Sequence, residues 1–177
     1  MENKKKVLIV IDVQNDFVTG SLGTPEAQAV VPNIVKKVEE YRSRDDAIIF
    51  TVDTHYDNYL DTQEGKKLPV PHCIVGTPGY EIIPELHAEV SSLEKVYPKN
   101  TFGYRWNISH WICCYDVEII GVCTDICVVT NALVLKTHYP DIEITVDASC
   151  CAGTSPEKHK AALEVMKSCQ INVIGEK

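Results

Sequence analysis

The chain has 177 residues, 45% apolar and 24% charged, which excludes a disordered segment and leaves enough length to bury a sizeable core without staples. A formal net charge of −8 excludes nucleic acid as the main partner, since that needs a basic face, and the run Lys4–Lys6 is too short and terminal to supply one. No stretch approaches the roughly 18 apolar residues that span a bilayer, and the apolar run Val7–Ile11 is cut short by Asp12, so neither a membrane span nor a signal peptide is read.

A cytoplasmic protein is therefore expected, with its eight cysteines reduced. The neighbouring pairs Cys113-Cys114 and Cys150-Cys151 are poor disulfide geometry, and the absence of a C-x-x-C argues against a zinc clip.

Taken in chain order, Val7–Asp12 (VLIVID) is apolar at nearly every position, as a strand covered on both faces should be. Thr24-Pro25-Glu26 then signals a helix start, and Val30, Ile34, Val38 and Tyr41 line one face of that helix. Ala47–Val52 is a second strand, a short helix follows Pro84, and Leu93–Tyr97 is a third strand. Val117–Val122 is the fourth, followed by a helix from about Asp125 to His138, and Ile142–Val146 is the fifth. Ser155-Pro156-Glu157 opens a last amphipathic helix to Cys169, and Ile171–Ile174 closes the pattern as a sixth strand. This alternation predicts a single α/β domain over residues 1–177. It would be a three-layer αβα sandwich around a mostly parallel sheet of about six strands. The long irregular stretch from about Asp53 to Gly79 is expected to be functional.

Ligands in open parallel sheets bind beyond the carboxyl ends of the strands. Those ends carry Asp12, then Asp53-Thr54-His55, then Lys99, then the segment Cys123–Cys127. Each has an ordinary explanation: an Asp that caps a turn, a solvated Lys, a buried Cys. Their convergence points to a site. Of the two cysteines, Cys127 is the better nucleophile, because it falls in the first turn of a helix, where free N–H groups and the dipole lower a thiol pKa. Cys123 falls in the strand-to-helix turn, where its backbone amide counts for more than its sulfur. Asp12 is the expected proton acceptor and Lys99 its charge partner.

VLIVIDVQNDF, the lysine of YPKNTFGY, and GVCTDICV resemble the three signatures of the isochorismatase-like cysteine hydrolases, in family order and over nearly the whole chain. The resemblance implies an Asp12–Lys99–Cys127 catalytic triad and a cis peptide between Val122 and Cys123 that presents the oxyanion-hole amides. Asp53-x-His55 with Pro71-His72 is similar to the metal site of the family's nicotinamidase branch. It implies one divalent ion, zinc first and iron or manganese as alternatives, on Asp53, His55 and His72. Glu64 is a further candidate ligand, with Asp61 as its rival. Phe17 and Phe102 match positions that sandwich a flat ring; ordinary core packing is the competing reading. The resemblance thus implies a metal-dependent amidase that converts nicotinamide to nicotinic acid and ammonia through a Cys thioester, within NAD salvage, as a homo-oligomer. The alternative is a family hydrolase acting on another small carboxamide or ureido compound, which would not need the metal. Isochorismate hydrolysis, a non-enzymatic scaffold and a redox sensor are further rivals, each leaving some of these residues unexplained.

Overall fold

The computed structural model describes residues 5–86, 94–106, 112 and 114–176. Six strands form one sheet: β1 (Lys5–Ile11), β2 (Ala47–Asp53), β3 (Glu94–Lys99), β4 (Tyr115–Val122), β5 (Ile144–Ala152) and β6 (Asn172–Ile174). Their order is β3-β2-β1-β4-β5-β6, and every pairing is parallel. From β1 the chain first builds outward to β2 and β3, and later returns to the other side of β1 with β4. The crevice between the ends of β1 and β4 is thus a topological switch point, where doubly wound sheets bind ligands.

The helices are α1 (Asn15–Val18), α2 (Pro25–Ser43), α3 (Gln63–Lys67), α4 (Val129–His138) and α5 (Pro156–Ser168). Capping explains where the long ones begin: the Thr24 side chain accepts from the Ala27 N–H and Ser155 from the Lys158 N–H, each with Pro at the first helical position. Alternation along β1 decides the layers. Val7, Ile9 and Ile11 pack with α4 and α5 through Ala132, Leu135, Leu163 and Met166. Leu8 and Val10 face the other way, onto Ile34, Val38 and Tyr41 of α2. Burial on both faces is why β1 reads as a nearly unbroken apolar run from Val7 on. Among the described residues, no helix is long and apolar enough to cross a membrane.

Several boundaries differ from the sequence reading. Strand β3 runs on to Lys99, through Pro98, because it is the sheet edge and needs no ladder hydrogen bond from that residue; Leu93 lies outside the described residues. So does most of the short helix expected after Pro84. Strand β5 extends from the expected Val146 to Ala152, and its register against β4 shifts between Ile119 and Gly121, so small polar residues carry the strand past a bulge. The helix expected from Asp125 begins instead as a π-helical turn, Thr124–Val128, in which the Val128 N–H donates to the Cys123 carbonyl at 3.1 Å. Cys113 is outside the described residues, and the seven described cysteines are free thiols.

Candidate active site

Asp12 follows β1 in a left-handed conformation (φ 50°), which Asp tolerates better than most residues, and its side chain is fully buried. The Thr51 hydroxyl donates to Asp12 Oδ1 at 2.7 Å. Oδ2 lies 2.6 Å from Lys99 Nζ, an ion pair in distance and charge. Burial pushes the Asp12 carboxyl above the usual carboxylate range, against the pull of Lys99.

Lys99 ends β3, and strand register sets it directly beside Asp53 at the end of β2. Its ammonium is almost wholly buried, 3.4 Å from Asp53 Oδ1 and 3.6 Å from Cys127 Sγ. Burial alone would favour losing its proton; the charges of Asp12 and Asp53 outweigh burial and hold the ammonium firmly protonated.

Cys127 sits in the π-helical turn, and the peptide between Val122 and Cys123 is cis. Asn131, fully buried on α4, donates to the Cys127 carbonyl at 2.8 Å and accepts from the Tyr104 N–H and the Trp106 indole at 2.9 Å each. It thereby ties the Cys127 turn to the segment after β3. The helix start was expected to lower the Cys127 pKa, and here the structure corrects the expectation. Burial, reinforced by the Asp12 charge, raises the thiol well above its ordinary value, because desolvation of a thiolate outweighs a dipole. Cys127 therefore rests as a thiol next to a carboxylate that can take its proton. The Cys123 thiol is likewise pushed up to about 12 by burial.

A second cluster lies beside the first. Asp53 Oδ2 is 3.0 Å from His55 Nε2 and 3.5 Å from His72 Nε2, and Glu64 Oε1 is 3.7 Å from each imidazole. The four ligand atoms all fall within 4.8 Å of one another. Glu64 joins this group, whereas its rival Asp61 ends a neighbouring 3-10 turn as an exposed residue. His72 Nδ1 is 2.8 Å from the Val70 carbonyl, which only accepts, so Nδ1 donates there and Nε2 is the nitrogen that faces the cluster. Two imidazoles and two carboxylates converging this tightly fit one divalent transition-metal ion. Burial opposes ionisation of Asp53, yet hydrogen bonds from His55 and His72 and the Lys99 charge hold its carboxyl well below the usual range.

The sequence reading missed the side chains that hold this cluster in place. Gln14 is fully buried; its Oε1 accepts from the Asp53 N–H at 2.7 Å, and its Nε2 donates to the Asp53 carbonyl at 2.9 Å and the Tyr80 carbonyl at 2.7 Å. Asp16 accepts from the Cys73 N–H at 2.8 Å, anchoring the residue after His72. Tyr59 stands edge-on to both imidazoles, at 4.8 and 5.0 Å between ring centroids. Gln14 and Asp16 lie within the VQNDF stretch of the first signature, but nothing in their spacing says what they bind.

Both clusters open onto one cavity of about 520 Å³, lined by Cys123 and Cys127, by Asp53, Glu64 and His72, and by Phe17 and Phe102. Phe17 is buried and meets His72 edge-on at 5.5 Å, while Phe102 is about half exposed.

A family model described as an isochorismatase domain matches residues 6–176. The nicotinamidase/pyrazinamidase of Mycobacterium tuberculosis is 25% identical over 191 aligned residues, covering 96% of this chain and 98% of its own. The nicotinamidase of Schizosaccharomyces pombe is 28% identical and covers 96% of this chain and 93% of its own. Among solved structures, the nicotinamidase/pyrazinamidase of Bacillus subtilis superposes with a TM-score of 0.84 at 26% identity, covering 96% of this chain and 98% of that one.

Proposed function

The chain belongs to the isochorismatase family, and from that premise we propose that it is a metal-dependent cysteine amidohydrolase converting nicotinamide to nicotinic acid and ammonia. One observation carries the reading: Cys127 and three of the four cluster residues, Asp53, Glu64 and His72, line the same cavity. The names of the two curated relatives point the same way. The reading takes residues 1–177 as one hydrolase domain.

Asp12 Oδ2 takes the thiol proton as Cys127 Sγ attacks the carboxamide carbon. The raised Asp12 pKa makes it a competent base, and the coupled transfer avoids a free thiolate in a buried site. Lys99 remains protonated and offsets the negative charge that passes between Asp12 and Cys127. The N–H groups of Cys123 and Cys127 receive the developing oxyanion, since first-turn amides of a helix lack intrahelical partners. Collapse of the tetrahedral adduct breaks the C–N bond, and Asp12 returns its proton to the departing nitrogen, which leaves as ammonia. Asp12 then takes a proton from water as the water attacks the thioester. Carboxylate is released and Asp12 restores the proton to Cys127.

Asp53, His55, Glu64 and His72 would hold one divalent ion, for which we propose zinc, and the ion would bind the ring nitrogen and fix the ring's orientation. Phe17 and Phe102 would flank that ring. The test is ammonia release from nicotinamide by metal-replete protein and its loss in Cys127→Ala. If the metal-replete wild type leaves nicotinamide untouched, the substrate assignment falls.

A further inference from the structure

Among the described residues, apart from Asp53 and Glu64, which turn toward the imidazoles, the charged ones lining the cavity are Lys67 and Lys158. They come from separate elements: Lys67 ends α3 and Lys158 lies in the first turn of α5. Neither forms an ion pair among the described residues, although Glu64 is one turn from Lys67. Asp125, close to the Lys158 side of the rim, is committed to the Thr154 N–H and hydroxyl at 2.7 and 2.6 Å. A third element contributes Thr24, which lines the same cavity; its oxygen already accepts from the Ala27 N–H, so its hydroxyl proton is free to donate outward.

Two lysines outside any printed ion pair and a free hydroxyl donor thus line a cavity of about 520 Å³. A neutral amide offers them hydrogen-bond acceptors but no charge to pair with, and charge-assisted hydrogen bonds are the stronger ones. The chain as a whole, with a net charge of −8, repels anions, so a local basic rim is what an anionic ligand would need to enter.

We propose that the substrates this site prefers are small aromatic carboxamides bearing a second, anionic group remote from the amide, and that Lys67 and Lys158 are the residues that select them. This rests on the amidase reading above, which supplies the cleaved bond; the rim decides what else the substrate carries.

The experiment compares nicotinamide with nicotinamide bearing a carboxylate at ring position 5, using metal-loaded wild type, Lys67→Met, Lys158→Met and the double variant. The wild type is expected to favour the carboxylated amide in kcat/KM, mainly through KM. Each lysine substitution should lower the ratio of the two kcat/KM values about fivefold, and added salt should lower it further. A wild-type preference for nicotinamide, or a ratio that the substitutions leave unmoved, overturns the proposal. If neither amide releases ammonia, the amidase reading falls, and calorimetry with pyridine-3,5-dicarboxylate and nicotinate decides the rim separately. Tighter, lysine-dependent binding of the dicarboxylate upholds the basic rim; equal or weaker binding overturns it.

Discussion

Lys99 Nζ stands 2.6 Å from Asp12 Oδ2, with both side chains out of contact with solvent. This ammonium also lies within 3.4 Å of Asp53 and 3.6 Å of the Cys127 sulfur, so one cation links Cys127, Asp12 and the imidazole–carboxylate cluster. Replacing it with Lys99→Met keeps the length and removes the charge. Two buried carboxylates are then left without their cation, and the fold should lose about 3–5 kcal/mol, read as a lower urea midpoint. Ammonia release should be abolished in the same variant. A stable, active Lys99→Met protein would remove Lys99 from the mechanism.

Gln14 touches the Asp53–His55–Glu64–His72 cluster only through the backbone of Asp53, which it holds at both N–H and carbonyl. Outer-shell partners of this kind commonly carry about 10–100-fold in metal affinity, and Gln14→Ala should lose an amount in that range. Competition against a chromophoric chelator measures it directly. The same titration by thermal shift should show added zinc raising the wild-type Tm more than that of the variant at equal concentration.

Asp147 offers a pH test away from the site. Burial works against its ionisation, but the Ser149 hydroxyl at 2.6 Å and Lys37 at 2.9 Å hold the carboxyl below its ordinary value. A carboxyl with a lower pKa folded than unfolded stabilises the fold above its unfolded value, near 3.9, and that stability drains away as pH falls through the folded value. The stability difference between wild type and Asp147→Asn should be full at neutral pH and shrink toward zero below about pH 4. A difference that is flat with pH would show that the Lys37–Asp147 contact contributes nothing through ionisation.

Gly121 lies opposite Ile11 with φ at 121°, and a side-chain carbon there would overlap the Ile11 backbone. Gly121→Ala should cost about 2 kcal/mol or more in unfolding free energy, combining an unfavourable φ with a backbone clash. Because Ile11 precedes Asp12 and Gly121 precedes the Val122–Cys123 peptide, activity should fall more steeply than stability alone explains. Circular dichroism melts alongside the ammonia assay separate the two effects.

What the sequence by itself determined was the layered α/β plan and the residues that carry the chemistry. Unbroken apolar strands, capped helices and acids, amines and thiols at strand ends are local signals, and a parallel sheet brings the carboxyl ends of its strands to one edge. Tertiary structure decided what depends on three-dimensional surroundings. Pro98 continues β3 only because that strand is the sheet edge, and β5 reaches Ala152 only because its register against β4 shifts beyond Ile119. The choice of Glu64 over Asp61 needed the fold of the loop, and the roles of Gln14 and Asn131 needed partners 39 and 25 residues away in sequence. The largest correction concerns Cys127: a helix start, read locally, lowers a thiol pKa, and the burial that raises it exists only once α4, α5 and the sheet have closed around the sulfur. Desolvation is a property of the assembled core, and no window of sequence contains it.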